Sequence, residues 1–409
     1  MPDTVRFARD VGYAFRTGIS LGDRRGSQPI SDPADEQGAM GHQSVVAFTD
    51  TYLPTVNGVT YTVKTWRDRW IDRGGRMNVV YPDAGGHDPT LDEHPVRSLP
   101  FPYYDGFRLG LPSVPGAICD TDVDVVHAHT PCALAVARLR RGRRAAVPVV
   151  ANYHTPTGEY ADYLADREWV EDALAGLSTR YERWFFGRAD AVVAPSEATR
   201  HHLVETVGTD TPVEVVPNGI DIEHFRPVDS GEFLRRHGLT GTDVFVGYTG
   251  RHGYEKRLGD LVDAAADLDA TLVFGGDGPA RADLEARARE RGVDAHFLGF
   301  LDREELPEFY TALDVFQFPS PVETQGLVAL EANACGTPVV AANDGALADT
   351  ILDGVTGYHF ETGNIAGLRS ATRRALDNRE TLEEGCFDRR GATSVDHAVD
   401  ALADLYRSL

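Results

Sequence analysis

Two glutamates lie on either side of a predicted helix start in the segment PSPVETQGLVALEANACGTPVV. Glu323 and Glu331 are separated by seven residues, and an apolar helical pattern begins at Gly326. Eight residues of helix rise roughly 12 Å, a distance that suits one carboxylate on a sugar and the other on a ribose. The start of this helix, at Gly326 and Leu327, has N–H groups and a positive dipole end that stabilise a diphosphate. Either glutamate taken alone would more simply be a surface acid.

Two cations follow a predicted strand earlier in the second half of the chain. Arg251 and Lys256 lie in the segment GRHGYEKR, directly after the strand VFVGYTG. Cations at the carboxyl edge of a strand can neutralise a departing diphosphate. Lysine occurs at only one other position, Lys64, and a compact point charge for phosphate is a reason to keep Lys256. A solvated loop cation is the simpler alternative.

Three residues of the first half occupy comparable positions. Gly58 lies between a predicted strand and a predicted helix in PTVNGV, where a residue without a side chain lets the backbone approach a phosphate. His129 and His154 follow predicted strands in HAHTP and NYHTP. The carboxyl ends of parallel strands face the ligand crevice of an α/β sheet, which makes both histidines candidates for a site. A lone histidine is more often a core or loop residue.

Alternating strands and helices must position these side chains. Buried strand patterns such as SVVAFTD and VDVVHAH alternate with helical stretches, which predicts parallel, doubly wound sheets. The alternation pauses at residues 217–219, a predicted Pro-Asn-Gly hinge, and then restarts. We therefore predict an α/β protein with two Rossmann-like domains, residues 44–217 and 218–385, and a C-terminal helical segment, residues 386–409.

The first 43 residues do not share this alternation of strands and helices. They are rich in Gly, Asp, Arg and Ser, which predicts a disordered N-terminal extension. Met40 directly precedes the first convincing strand and is an alternative start, in which case residues 1–39 would not belong to the native protein. No apolar signal-peptide core is present in this stretch, which argues against export.

The composition is strongly acidic. With 40 Lys and Arg against 63 Asp and Glu, the formal net charge is −23. Such a surface argues against sequence-independent nucleic-acid binding, which needs a positive footprint. It is typical of proteins that work in high salt; a GC-rich genome would explain the preference for arginine but not the acidic excess. Four scattered cysteines without metal-ligand spacing, and no apolar run of about 18 residues, predict a reduced cytoplasmic protein without a membrane span.

Together these motifs resemble family 4 of the retaining glycosyltransferases, whose members have the GT-B fold of two Rossmann-like domains facing a central cleft. The resemblance runs from about Val45 to Phe360 and rests on YLPTVNGV, DVVHAHTP, VVPNGID, GRHGYEK and the Glu-x7-Glu block followed by ACGTPVV. It implies transfer of a hexose, of glucose or mannose type, from a UDP- or GDP-linked donor with retention of configuration. No metal or other cofactor is implied, and no residue is assigned as a covalent nucleophile.

The resemblance also implies roles for the candidate residues of the second domain. Arg251 and Lys256 would grip the donor diphosphate, together with the amides at the helix start. Glu331 would bind the ribose hydroxyls, and Glu323 would bind hydroxyls of the transferred sugar.

Further roles follow for the first domain and for the nucleotide base. Gly58 would approach the phosphates, and His129 would lie near the anomeric centre and the acceptor, with His154 at the same sheet edge. The base would lie against Phe300 and Leu301.

One position departs from the family pattern. Many members carry an aromatic residue where this chain has Gln325. The Glu-Thr-Gln-Gly variant resembles the members that glycosylate diacylglycerol-type lipids, whereas YLPTVNGV resembles mannosyltransferases and sulfoquinovosyltransferases that act on lipids. The leading interpretation is therefore an enzyme that makes a glycolipid or a lipid-linked glycan, with the identity of the hexose left open.

Two basic clusters bear on the acceptor. The helix after Gly58 carries Lys64 and several arginines beside Trp66 and Trp70. A second cluster follows HAHTP and consists of Arg138, Arg140, Arg141, Arg143 and Arg144. Basic clusters with aromatic residues suit an anionic membrane, which favours peripheral contact with the inner face of the cell membrane; solvated faces paired with local acids are the alternative. Two other functions stay open: the same chemistry on a soluble acceptor, such as a sugar phosphate or compatible solute, or a non-catalytic nucleotide-sugar-binding protein.

Overall fold

The computed structural model describes residues 43–100, 108–111, 113–119, 122–129, 147–154, 178–239 and 244–409. The predicted N-terminal extension up to residue 42 lies outside the described residues, and so does the arginine cluster at positions 138–144. The described part of the chain forms two parallel sheets with their helices.

The first sheet has seven parallel strands in the spatial order β3-β2-β1-β6-β7-β8-β9. Its strands are Ser44–Phe48 (β1), Arg76–Pro82 (β2), Glu93–Val96 (β3), Val125–Ala128 (β6), Val149–Asn152 (β7), Ala191–Ala194 (β8) and Val213–Val215 (β9). An antiparallel hairpin follows β3, with strands Ser98–Pro100 (β4) and Arg108–Gly110 (β5). The helices of this half are Gly58–Asp72 (α1), Gly116–Cys119 (α2), a helical stretch at 178–186, and Glu197–His201 (α3), which continues as the π-helical turn His202–Val207.

The second sheet has six parallel strands in the order β12-β11-β10-β13-β14-β15. Its strands are Phe245–Thr249 (β10), Thr271–Gly275 (β11), Ala295–Gly299 (β12), Val315–Phe318 (β13), Val339–Ala342 (β14) and Gly357–Phe360 (β15). Its α-helices are Gly231–Arg236 (α4), Gly259–Ala265 (α5), Arg281–Arg291 (α6), Leu306–Ala312 (α7), Leu327–Ala334 (α8), Leu347–Thr350 (α9), Ile365–Asp377 (α10) and Arg379–Arg389 (α11). Short 3-10 turns occur at Tyr254–Lys256, Arg303–Glu305 and Arg390–Thr393.

The central strands are buried on both faces, as their continuous apolar sequences predict. Every residue of β1 and of β10 is buried, and the two-domain α/β prediction is confirmed. The sequence did not predict six strands: β4 and β5 of the antiparallel pair, the internal strand β14, and β3, β9 and β15, which are edge strands of the two parallel sheets. Edge strands are short and carry polar residues, proline or glycine, so their apolar signal is weak.

Both sheets reverse their strand order at one point, between β1 and β6 in the first and between β10 and β13 in the second. In open α/β sheets the ligand crevice lies beyond the carboxyl ends of the strands at such a switch point. Four loops begin at these two switch points, namely those that follow β1, β6, β10 and β13. The first loop ends at Gly58, the first residue of α1, and the other three carry His129, Lys256 and Glu323 respectively.

The last helix of the described chain, Val395–Ser408 (α12), returns to the first domain. Its apolar side chains belong to the same core cluster as Trp66 and Trp70 of α1. The ring of Tyr406 packs edge-on against Trp70, with centroids 5.3 Å apart. Residues 386–409 are largely helical, although the domain boundary that we placed after residue 385 falls inside α11.

Candidate active site

The loop after β10 carries the cations that the sequence assigns to the diphosphate. Lys256 donates from Nζ to Glu323 Oε1 at 2.7 Å, and the two side chains are 18% and 16% exposed. Arg251 donates from Nη2 to Glu255 Oε1 at 2.8 Å. An ammonium group has three N–H donors, so Lys256 can hold Glu323 and still donate to a phosphate. The structure therefore brings a predicted phosphate ligand and the predicted sugar ligand into direct contact.

Helix α8 begins where the glycine pattern predicts. Gly326 is its N-cap with φ of 81°, and a Cβ at this position would lie 2.6 Å from the Leu347 side chain, so only glycine fits. Leu327 is the first helical residue, and a Cβ on Gly58 would lie 3.4 Å from Leu327 Cδ1. The loop after β1 and the start of α8 thus meet across the cleft. The N–H groups of the first helical turn have no partner within the helix and can bind an anion.

Glu331, on the second turn of α8, is nearly buried, with 9% of its surface exposed. Tyr310 donates its hydroxyl proton to Glu331 Oε2 at 2.7 Å. Burial raises the pKa of Glu331 to about 7, against the opposing effects of the Tyr310 hydrogen bond and the positive charge of Arg303. This carboxyl group therefore changes its charge near neutral pH.

Arg303, which the sequence did not single out, carries a positive charge that acts to lower the pKa of Glu331. Its guanidinium carbon lies 4.5 Å from the ring centroid of Tyr61, in the first domain, and 4.8 Å from that of Phe225. Cation–π contacts of this kind are attractive when they are shielded from water. Tyr61 lies three residues after Gly58 in the same helix, and such residues share a helix face. Its spacing from Gly58 could have indicated from the sequence that Tyr61 faces the cleft. No feature of the sequence indicated the position of Arg303.

Three histidines at the carboxyl ends of β6 and β7 form a stack of rings. The rings of His127 and His129 lie 4.2 Å apart, and those of His129 and His154 lie 5.3 Å apart, each pair inclined by 20°. Burial lowers the pKa of His127 and of His154 to about 3 and that of His129 well below its usual value. Neighbouring histidines lower the pKa of His127 and of His129 further. All three are therefore neutral near pH 7.

One ring nitrogen of His129, Nε2, is buried and has no hydrogen-bond partner among the described residues. The other ring nitrogen, Nδ1, lies 3.0 Å from His154 Nε2, which is also 3.0 Å from Asn152 Nδ2. A sugar hydroxyl could supply the partner that His129 Nε2 lacks, because a hydroxyl both donates and accepts.

The segment predicted to contact the base has two different side chains. Phe300 is 68% exposed, whereas Leu301 is 6% exposed and packs in the core of the second domain. A Cβ on Gly275 would lie 2.9 Å from Leu301 Cδ1. Phe300 is thus accessible to a planar ligand, and Leu301 can contact one only through its backbone.

Helix α1 buries both of its tryptophans, so the expectation that they meet a membrane is wrong, whereas membrane contact itself stays a prediction. Trp66 and Trp70 are fully buried in the first domain, because the apolar face of the helix covers the sheet. The basic residues of the helix pair with acids: Lys64 with Asp68, Arg67 with Glu93, and Arg69 and Arg73 with Asp396. In the described part of the chain, no helix combines the length and apolar character that a bilayer span requires.

Solved structures of low sequence identity share the fold. Sucrose-phosphate synthase from Thermosynechococcus elongatus superposes with a TM-score of 0.73 at 20% identity, over 90% of this chain and 98% of that chain. WaaG, a glycosyltransferase involved in lipopolysaccharide biosynthesis, superposes with a TM-score of 0.64 at 17% identity, over 88% and 99% of the two chains. The two sheets and the cleft between them have the architecture of the GT-B fold.

The sequence narrows this class to a family. Residues 56–224 match the profile of Glycosyltransferase Family 4, and residues 229–384 match that of Glycosyl transferases group 1. The chain belongs to glycosyltransferase family 4.

Curated relatives of the chain differ in how much of their length it covers. A GDP-mannose-dependent alpha-mannosyltransferase of Mycobacterium tuberculosis is 31% identical over 78% of this chain and 84% of its own length. Alpha-monoglucosyldiacylglycerol synthase of Streptococcus pneumoniae is 27% identical over 83% and 81%. Sulfoquinovosyl transferase of Arabidopsis thaliana is 33% identical over 70% of this chain, which spans 57% of the length of that relative.

Proposed function

We propose that the protein is a retaining, metal-independent hexosyltransferase that moves a glucose- or mannose-type sugar from a UDP- or GDP-linked donor to a membrane lipid or a lipid-linked glycan. The observation that carries this proposal is the Lys256–Glu323 pair, 2.7 Å apart, in the loops that follow β10 and β13. Glu323 lies four residues before Leu327, the first residue of α8, which approaches Gly58 of the first domain. This arrangement supports a diphosphate and a sugar bound between the two domains.

Each element of this cleft has a separate task in the proposed transfer. As the bond between the anomeric carbon and the diphosphate breaks, negative charge develops on the departing diphosphate. Arg251, Lys256 and the amides at the start of α8 stabilise that charge because they are already oriented. Glu323 accepts hydrogen bonds from the sugar hydroxyls, and His129 Nε2 forms one with a hydroxyl from the first-domain side of the cleft.

The nucleotide would extend from the diphosphate along α8 towards Glu331. A carboxylate accepts hydrogen bonds from two vicinal ribose hydroxyls, and the pKa of about 7 keeps Glu331 partly ionised at neutral pH. The base would reach the exposed ring of Phe300. Domain closure would bring donor and acceptor together and exclude water, which otherwise hydrolyses the donor.

The lipid acceptor is supported by relatives rather than by an exposed surface of the described residues. The name of alpha-monoglucosyldiacylglycerol synthase points to a lipid acceptor. The name of sulfoquinovosyl transferase points to transfer of a sulfosugar. D-inositol 3-phosphate glycosyltransferase of Geodermatophilus obscurus, 34% identical over 69% of this chain, acts by its name on a soluble phosphorylated acceptor. A soluble acceptor is therefore the second candidate, and contact with an anionic membrane is part of the first only.

Titration calorimetry with UDP and GDP, in buffers of low and multimolar salt, tests the donor half of the proposal. Tight binding of one nucleotide is expected, and binding of neither by the folded protein would contradict it. Transfer from the matching sugar nucleotide is then compared on diacylglycerol vesicles and on inositol phosphate, with and without EDTA. Product on the vesicles that is insensitive to EDTA is expected; product only on the soluble acceptor would select the second candidate.

A further inference from the structure

One residue of the Glu-x7-Glu block is bonded to the opposite domain. Thr324 follows Glu323 in the loop between β13 and α8, and it donates from Oγ1 to the carbonyl oxygen of His154 at 2.9 Å. The carbonyl oxygen of Thr324 lies 2.9 Å from Ser196 Oγ and 3.1 Å from Thr199 Oγ1. The first domain therefore holds Thr324 by its side chain and by its backbone.

The two hydroxyls that face the Thr324 carbonyl are buried and oriented. Ser196 and Thr199 are 6% and 5% exposed. Ser196 is the N-cap of α3, and its Oγ accepts a hydrogen bond from the Thr199 backbone N–H at 3.2 Å. Because this cap fixes both side chains to the start of one helix, they present a rigid pair of groups to the carbonyl. An unpaired carbonyl at this depth would be costly.

The residues on either side of Thr324 contact two further parts of the molecule. Glu323 accepts from Lys256 in the second domain at 2.7 Å. Gln325 is buried, and its Oε1 accepts from the backbone N–H of Asn218, in the predicted hinge, at 3.0 Å. Three consecutive side chains thus contact three different parts of the molecule: the loop after β10, the first domain and the predicted hinge. This accounts for an amide at position 325, since an aromatic ring could not accept that hydrogen bond.

These contacts connect the two halves of the candidate site through a short path. The carbonyl that Thr324 contacts belongs to His154, whose Nε2 is 3.0 Å from His129 Nδ1. Movement of the first domain would pull on Thr324 from both its side chain and its carbonyl. The backbone of Glu323 is directly bonded to that residue, so the direction of the Glu323 carboxylate would change with it.

We propose that Thr324 is a positioning residue, which makes the orientation of the Glu323 carboxylate depend on closure of the first domain against the second. The sugar would then be gripped correctly only when the acceptor-side histidines are in place. Thr324 itself need not touch the substrate. This inference rests on the proposed function for its catalytic consequence, but the bonds that it invokes can be tested without a substrate.

Thr324→Val removes the hydroxyl and keeps the shape, and Thr324→Ser keeps the hydroxyl and is the matched control. Hydrogen exchange of the segment around residues 319–326, measured without any ligand, is expected to be faster in Thr324→Val than in the wild type and near normal in Thr324→Ser. Thr199→Val, on the other side of the loop, is expected to give the same direction of change. Equal exchange in Thr324→Val and the wild type would overturn the inference.

A binding measurement then separates positioning from general destabilisation. With UDP-glucose and GDP-mannose as probes, Thr324→Val is expected to lose about tenfold in affinity for the sugar nucleotide that the wild type binds, because a charged hydrogen bond to the sugar weakens. Its affinity for the free nucleoside diphosphate and its Tm should stay within error of wild type. A parallel loss of affinity for the free diphosphate, or a Thr324→Ser variant as impaired as Thr324→Val, would overturn the inference. A wild type that binds neither sugar nucleotide would instead sink the proposed function, while the exchange measurement would still decide the role of Thr324.

Discussion

The two halves of the candidate site use different chemistry on the same scaffold. At the switch point of the second sheet, Lys256 and Glu323 are charged and partly exposed to the cleft. At the carboxyl ends of β6 and β7 in the first sheet, His129 and His154 are held neutral by burial and hydrogen-bond to each other. The strand topology is nearly the same, so the difference lies in the loops and not in the fold.

The contrast matches what each half would meet. A sugar-nucleotide diphosphate carries charge, which increases on the leaving group during transfer, and fixed charges stabilise it. A sugar hydroxyl or an incoming acceptor hydroxyl is neutral, and a neutral imidazole nitrogen accepts from it without the cost of burying an ion. We therefore expect substitutions that remove a charge in the second domain to have large effects on transfer and binding. Changes of pH should have smaller effects through the histidines of the first domain.

The largest expected effect comes from Glu323→Ala. Loss of a charged acceptor for the sugar hydroxyls should lower kcat for transfer at least about 100-fold. The Tm should remain near that of the wild type, since Glu323 is not part of a core. Steady-state transfer and thermal melting check both statements. Glu290→Ala, an exposed glutamate on α6, is the control, and near-normal turnover in Glu323→Ala would remove the central assignment of this site.

A smaller effect is expected from Lys256→Ala. Removal of one diphosphate cation should weaken binding of the nucleoside diphosphate about 10- to 100-fold, as measured by titration calorimetry. The chain offers an exact chemical match, because its other lysine, Lys64, lies on α1 and pairs with Asp68. Lys64→Ala should leave the affinity unchanged. If both variants lost affinity equally, general charge and not the phosphate loop would be responsible.

The smallest and most diagnostic effect concerns pH. The pKa of Glu331 is about 7, and only the ionised carboxylate accepts from both ribose hydroxyls, so nucleotide affinity should fall by up to about tenfold per pH unit below 7. The pKa values of His127 and His154 are about 3, so those side chains stay neutral throughout the range from pH 8 to 5.5. Calorimetry across that range should show this loss of affinity in the wild type.

Glu331→Gln separates this group from the ligand. Its affinity should be lower at pH 8, and any remaining dependence on pH belongs to the phosphate groups of the nucleotide. An equally steep loss of affinity in Glu331→Gln would show that Glu331 is not the titrating group. A loss of nucleotide affinity between pH 8 and 5.5 that is caused by protonation of the histidines would contradict the neutral character of the first-domain site.

Much of this site could be predicted because its residues follow strands in recognisable segments. Lys256 and Glu323 lie in loops after buried apolar strands, and Gly58 begins the helix after another such strand; periodicity reveals such strands. Gly326 could be predicted because a helix start with a left-handed residue needs glycine. These are local signals that one stretch of sequence carries by itself.

The features that were missed depend on contacts between distant parts of the chain. Arg303 stacks on Tyr61 across 242 positions of sequence, and Thr324 reaches His154 across 170. The aromatic residues of α1 were misjudged for the same reason, because their amphipathic pattern fits a membrane face as well as a sheet face. Only the folded chain shows that Trp66 covers the first sheet.

The return of α12 to the first domain has a consequence for how the chain comes off the ribosome. The second domain is one continuous stretch, and it can pack completely once residue 389 has been synthesised. The first domain is made earlier, but its hydrophobic face around Trp70 stays uncovered until Val395–Ser408 emerges. The half that is translated first is therefore the half that can finish folding last. Until α12 packs, the apolar face around Trp70 is open to contact with other chains, which favours aggregation.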